Sequence, residues 1–314
     1  MNKKLALSID IGGTNCAYGL VDSLGEIHYE NSVETATFGE AIKFVSFLKQ
    51  DEEIYNSLNQ IIGIGIGAPN GNHFTGEIQF APNLPWEKGI IPIKNYFETE
   101  FQIPTILTND ANAAAEGEKL FGSAKELENF IVITLGTGLG SGIYINNEIL
   151  YGSNGLAGEF GHIRVVKNGR QCKCGRNGCL ETYASSSGII RSFEEFKADY
   201  SSSSLYDEKT IKAKMIFKHA INGDSFAKFL VDYTANILGN ALADFTAFSD
   251  PQAYILFGGI AQSGEYFRSL VQNYFDQNSL NIYKNKVQIL NSNLHDKNAA
   301  ILGNAASIFK RIKY

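Results

Sequence analysis

Three cysteines and a histidine sit close together in the chain, at His162, Cys172, Cys174 and Cys179. Thiolates and a neutral imidazole are the ligands Zn²⁺ prefers, and four of them close a tetrahedral structural site with no open position. The expected metal is therefore zinc in a structural role, not a Lewis acid. The spacing, His-x9-Cys-x-Cys-x4-Cys, is not the common Cys-x2-Cys pair, and the plainer alternative is a set of free buried thiols. Zinc on one ring nitrogen of His162 leaves the other protonated, which makes it a fixed donor. Glu159 and Glu181 flank the cluster, so the segment reads as a metal-stapled loop that presents carboxylates to a hydroxylated ligand. Cys16 stands apart and reads as a small buried side chain.

Two glycine-bearing turns suggest phosphate chemistry. In Asp10-Ile11-Gly12-Gly13-Thr14, glycines after a strand let backbone N–H groups approach phosphate oxygens, and the strand-end carboxylate can hold Mg²⁺ through water. Leu135-Gly136-Thr137-Gly138-Leu139-Gly140 is suited to the other end of a polyphosphate. It lacks the Gly-Lys-Ser/Thr of a Walker A loop, and it leads into a strand where a dinucleotide fingerprint would lead into a helix. Each turn alone is equally well read as an ordinary hairpin; the pair favours phosphate. Asn109-Asp110 closes a buried strand ahead of a helix. A carboxylate there can take a proton from a substrate hydroxyl, or it can serve as the helix N-cap, a role Asn and Asp both fill.

The elements that must position these groups follow from pattern. Residues 3–10, 17–22, 61–69, 104–108, 130–136, 253–259 and 287–290 read as strands, and 26–33 as a further one. Alternation of glycine with isoleucine in IIGIGIG predicts that something packs closely on one face of that strand. Helical spacing appears at 38–50, 111–117, 225–248, where Asp250-Pro251 ends it, and 299–310. Ser201–Ser204 reads as a mobile surface connection. The theme of strand, glycine turn, then strand or helix recurs, at Gly258-Gly259 as well, although no self-similarity is strong enough to prove a repeat.

The chain has 314 residues, 44% apolar and 19% charged, enough for one large domain or two lobes. A net charge of −6 argues against nucleic-acid partners. No apolar run spans a bilayer, and the apolar stretch after Lys3-Lys4 is broken by Asp10 too early for a signal peptide. A reducing, cytoplasmic setting is expected, which favours metal ligation over disulfides.

Taken together, DIGGTN at 10–15, GAPNG at 67–71, PNLPW at 82–86, NDANAAAEGE at 109–118, LGTGLGSGI at 135–143, AGEFGH through GCLE at 158–181 and FGGIAQSG at 257–264 closely resemble the ROK family of bacterial sugar kinases, and within it the glucokinases. The resemblance implies an α/β, two-lobed actin-like ATPase (ribonuclease H-like) fold with an interlobe cleft. The lobes would be 1–115 plus 299–314, and 116–298 carrying the zinc loop. It implies ATP- and Mg²⁺-dependent phosphorylation of a hexose hydroxyl, the 6-hydroxyl of glucose, with Asp110 as base. Asn83, Asn109, Asp110, Glu159, His162 and Glu181 match sugar-contacting positions. Asp10, Gly12, Gly13, Thr14, Gly136, Thr137 and Gly138 match phosphate segments, and Gly258 and Gly259 the nucleotide-side turn. Asn70 stands where many members have glycine; Asn tolerates a left-handed backbone, so the turn is expected to survive. N-acetylhexosamine kinases and fructokinases of the same family are the alternative, and sugar-responsive repressors a more distant one, since Asp10 lies too near the start for an added DNA-binding domain. The resemblance also suggests a homodimer, and leaves polyphosphate open as a donor.

Overall fold

β1 (Leu5–Ile11) is buried almost throughout, the signature of a strand covered on both faces. It pairs antiparallel with β2 (Asn15–Asp22), which pairs antiparallel with β3 (Ile27–Glu34). On its other side it runs parallel to β4 (Ile61–Gly67), itself parallel to β5 (Thr105–Thr108). The sheet order is thus β3-β2-β1-β4-β5. This computed structural model describes residues 3–81, 84–86, 88–294 and 296–312. It divides into two compact units: Met1–Glu126 with Ile149–Ala157 and Asn293–Tyr314, and Leu127–Glu148 with Gly158–Ser292.

In the first unit, one core gathers Leu7, Ile9, Ile64 and Ile66 with Phe44 and Val45 of helix α1 (Ala41–Gln50) and Phe97 of α2 (Ile93–Phe101). The C-terminal helix, Asp296–Arg311, covers the other face of the sheet. It is what packs on the glycines of β4. A Cβ on Gly65 would collide with the backbone of Asn304, and one on Gly67 would lie 2.6 Å from the Asn304 Oδ1. Side chains would prise the helix off, so the strand is left bare at those positions. Helix α3 (Asp110–Leu120) packs on the same helix, with Gly117 against Gly303.

The second unit repeats the strand plan. β6 (Phe130–Leu135) pairs antiparallel with β7 (Leu139–Ile145), and the two-residue strand Glu148–Ile149 follows at the edge. On the other side β6 is parallel to β8 (Ala253–Phe257), and β8 to β9 (Gln288–Asn291). Ile131, Ile133 and Leu256 pack against α4 (Ser186–Phe196), α5 (Ala213–Ile221), α6 (Ser225–Ser249) and α7 (Glu265–Asn278). Asp224 caps α6 by accepting from Ala227 N at 2.8 Å, and Asp250, at φ 41°, ends it before Pro251. Both units are therefore α/β with mixed five-stranded sheets, in line with the sequence reading of the fold class. Among the described residues no helix is long and apolar enough to cross a membrane.

Candidate active site and thiol cluster

The C-terminal ends of β1, β4 and β5 lie side by side, because Asp10 is in register with Gly67 and Gly67 with Thr108. Open α/β sheets present ligands at this edge. Asp10 and the Asn109-Asp110 pair therefore come together on one rim, although 100 residues of chain separate Asp10 from Asp110. The cap question is settled by geometry: Asn109 is the N-cap of α3, its Oδ1 accepting from Asn112 N at 2.7 Å. Asp110 is the first helical residue, with Oδ1 accepting from Ala111 N at 2.9 Å. Asn109 thus has its amide NH₂ left for a ligand, and Asp110 its second oxygen.

The charge of Asp110 disfavours that of Asp10. Burial, then the negative field of Asp110, pushes the Asp10 carboxyl up to about 7. Asp110 keeps an exposed edge, yet burial by the surrounding protein raises its carboxyl too, against backbone N–H groups that lower it. A pair of carboxylates is what a divalent ion neutralises, and hard oxygen donors suit Mg²⁺.

The Gly12-Gly13-Thr14 turn joins β1 to β2, with Gly13 and Thr14 exposed. Gly12 N donates to Asn15 O at 3.0 Å, and a Cβ on Gly12 would lie 2.7 Å from that oxygen, so glycine is required. Buried Thr35 clamps the turn: its Oγ1 donates to Gly12 O at 2.7 Å and its N–H to Thr14 O at 2.9 Å. Trp86 Nε1 in turn donates to Thr35 O at 3.1 Å. Sequence reasoning missed Thr35 and Trp86, since nothing in local spacing ties them to the turn. Asn70 does adopt φ 53°, and its Nδ2 donates to Gln79 O and Phe80 O at 3.0 and 3.3 Å. Asn83 lies outside the described residues.

In the second unit, Gly136, Thr137 and Gly138 form the exposed hairpin between β6 and β7. It too is clamped from below, by Ser186 N to Gly136 O at 2.9 Å and Ser187 Oγ to Thr137 O at 2.7 Å. Gly258, at φ 96°, sits directly against Leu135, which places Gly258-Gly259 beside the same hairpin. A Cβ on Gly138 would lie 2.9 Å from Glu181 Oε2, so the thiol loop reaches this edge as well.

That loop brings all four proposed ligands together. One ligand atom each from His162, Cys172, Cys174 and Cys179 lies within 4.8 Å of the others. Cys174 Sγ is 3.6 Å from Cys179 Sγ, and Cys172 Sγ 3.7 Å from His162 Nδ1. Zn–S bonds of about 2.3 Å in a tetrahedron give an edge of about 3.8 Å, so these two pairs already match and the residues fit a structural zinc. Nδ1 is the ring nitrogen facing the thiols. Nε2 faces Glu159, with Oε2 at 3.9 Å, while Glu181 Oε1 lies 3.6 Å from Nδ1 and accepts from Cys172 at 2.9 Å. Arg170 fixes the loop from behind: it is 6% exposed, grips Glu195 with Nε and Nη2, and donates to Thr182 O at 2.6 Å.

Comparison with known proteins gives the context for this geometry. The chain is 35% identical over 291 residues to a glucokinase of Halalkalibacterium halodurans, covering 89% of this chain and 88% of that one. It is 38% identical over 270 residues to a glucokinase of Streptomyces coelicolor, covering 83% and 84%. The crystal structure of a ROK family glucokinase from Streptomyces griseus in complex with glucose and AMPPNP superposes with a TM-score of 0.78 at 33% identity, over 96% of this chain and 98% of that one. The ROK family model matches residues 6–311, and the chain belongs to the ROK family, with its actin-like ATPase fold.

Proposed function

We propose that this chain is a hexose kinase that transfers the terminal phosphoryl group of ATP to the 6-hydroxyl of glucose. The relatives named glucokinase support the sugar and the donor. The single observation that carries the chemistry is the division of labour at the start of α3, where Asn109 takes the cap and leaves the second Asp110 oxygen uncommitted.

Phosphoryl transfer needs positioning and charge stabilisation more than covalent chemistry. Asp110 accepts the proton of the 6-hydroxyl as that oxygen forms its bond to the γ-phosphorus and the bond to the ADP oxygen breaks. Burial raises the Asp110 carboxyl, which makes its carboxylate a stronger base than that of an ordinary aspartate. The N–H groups of Gly13 and Thr14 in one turn and of Thr137 and Gly138 in the other donate to phosphate oxygens, and Gly258-Gly259 lets the nucleotide approach the backbone. Asp10 would hold Mg²⁺ through water; when bound, the ion neutralises polyphosphate charge and relieves the Asp10–Asp110 repulsion.

Glu159, Glu181, Asn83, the Asn109 amide and the His162 Nε2–H recognise sugar hydroxyls. Hydrogen-bonding groups of this kind strongly reject an analogue lacking the hydroxyl they serve. Zinc would be held by His162 Nδ1, Cys172, Cys174 and Cys179. It supplies no bond-making chemistry, only a fixed loop and a fixed His162 tautomer.

Asp110→Asn tests the reading. Turnover with glucose and ATP should fall by about 10³-fold or more, while glucose binding by calorimetry stays within about threefold. Retention of a tenth or more of the parent turnover would remove Asp110 from the role of base.

A further inference from the structure

The outward side of the thiol loop carries charge that the proposed reaction does not use. The chain has a formal net charge of −6, yet Arg164, Lys167, Lys173 and Arg176 all lie exposed in this one loop. Arg170, in the same loop, is buried and paired with Glu195. Arg164, Lys167 and Lys173 have no carboxylate at ion-pair distance among the described residues, and Arg176 turns to the Cys174 sulfur. Neutralising a thiolate cluster accounts for Arg176 but leaves the others in surplus.

Three of these cations line one recess. It measures about 780 Å³, and its walls include Arg164, Lys167 and Arg176 with the amides of Asn168 and Asn177 and the turn at Gly175. That size is typical of small-molecule sites. The walls are preformed: Arg164 bridges to Cys179 and Gln171 to Asn177, and Val165 N and Cys172 N donate to Gly178 O and Arg176 O at 2.9 and 2.8 Å. Asn168 at φ 54° and Gly175 at φ 88° make the bends. A concave recess of this size suits a small ligand better than a nucleic-acid strand, which would need a basic stripe and stacking aromatics. The Arg164 guanidinium and the Lys167 ammonium, backed by amide donors, match a phosphoryl dianion, which guanidinium binds bidentately.

We propose that this recess is a second anion site, separate from the glycine hairpins, that binds a phosphate ester or free phosphate. It goes beyond the kinase reading, because a ligand here is bound without being turned over.

The test is calorimetric titration of the full-length protein with inorganic phosphate and, separately, with glucose 6-phosphate. Glucose and Mg²⁺–AMPPNP are present in saturating amounts so that the proposed reaction site is filled. Binding is expected for at least one ligand, weakening as salt is raised. It should fall about tenfold or more in the Arg164→Gln/Lys167→Gln double variant, with zinc content and melting temperature unchanged. Binding of both ligands alike identifies free phosphate as sufficient, and binding of the sugar phosphate alone identifies an ester. If the double variant loses its fold or its zinc, Lys167→Gln alone replaces it, with a loss of about threefold expected. No titration in the parent protein, or titration that survives the substitutions, overturns the proposal. Failure of the kinase reading would be seen instead as absent turnover, and would leave the substitution-sensitive titration in place.

Discussion

The two sheets of this protein have the same strand order and a glycine-bearing hairpin after the first strand, yet those first strands end on side chains of different charge. Two residues before Gly12 stands Asp10; two residues before Gly136 stands Thr134. Asp10 faces a second carboxylate, Asp110, and is pushed up to about 7 by burial and by that neighbour. Thr134 spends its hydroxyl on the hairpin itself, accepting from Gly140 N at 3.0 Å. One plan thus ends its first strand on a carboxylate in the first unit and on a neutral hydroxyl in the second. The chemistry is set by the side chain at one strand end and not by the fold, which is why fold alone never fixes function.

Within this comparison the largest expected effect comes from removing the charge at the end of β1. Asp10→Asn should lower turnover by about 10²–10³-fold, since the proposed Mg²⁺ then loses its carboxylate. Stability should move the other way. A carboxyl raised in the folded state contributes stability that is fully present below its unfolded value and is lost as pH rises through the folded one. Going from the ordinary 3.8 to about 7, that loss falls between roughly pH 4 and 7. In Mg²⁺-free buffer at pH 8 the variant should therefore be the more stable protein, by as much as about 4 kcal/mol, and at pH 3.5 the difference should vanish. Denaturant melts at the two pH values read it directly. A variant less stable than the parent at pH 8 would mean that Asp10 is satisfied in the free protein and carries no strain.

A smaller effect separates glycines that serve packing from glycines that serve a ligand. Gly65 lies under the C-terminal helix, with no space for a methyl group against Asn304, whereas a Cβ on Gly136 meets nothing within 4 Å. Gly65→Ala should cost about 2–3 kcal/mol in urea melts by overpacking. Gly136→Ala should stay within about 0.5 kcal/mol of the parent while weakening ATP binding, because its methyl group stands where a phosphate would approach. Equal stability losses in the two variants would erase the distinction.

This contrast also marks what the sequence made legible. IIGIGIG announced a close neighbour but not its identity, because the helix that covers it begins at Asp296, near the far end of the chain. The thiol cluster was readable because its ligands are local, spaced within one loop that must fold back on itself. The roles of Asn109 and Asp110 were not separable, since both residue types cap helices and only the observed bond to Asn112 N assigns the cap. Thr35 left no signal at all. It meets the Gly12 carbonyl through strand pairing between β2 and β3, which depends on register and not on motif. The serine run read as mobile is instead tied down, with Ser203 and Ser204 both donating to Asp224, whose carboxylate also caps α6. Polar composition describes what a loop is able to bond, and the partners lay twenty residues further on. The two rims showed a shared theme in the sequence but not a provable repeat, because strand order can recur where only a few glycines are shared.

The finest test installs the charge of the first rim in the second. Thr134→Asp places a carboxylate beside the Gly136–Gly138 hairpin, at the position corresponding to Asp10. If that hairpin donates its N–H groups to phosphate, the new charge opposes the nucleotide through a partly buried medium, and KM for ATP should rise about tenfold, equivalent to about 1.4 kcal/mol. KM for glucose should change less than about twofold. Thr134→Val supplies the control: it removes the same bond to Gly140 N without adding charge, so it should cost about 1 kcal/mol of stability and leave KM for ATP within about threefold. Raised KM in both variants would trace the effect to a loosened hairpin. Raised KM in the aspartate variant alone would assign it to charge, and unchanged KM in both would place the polyphosphate elsewhere.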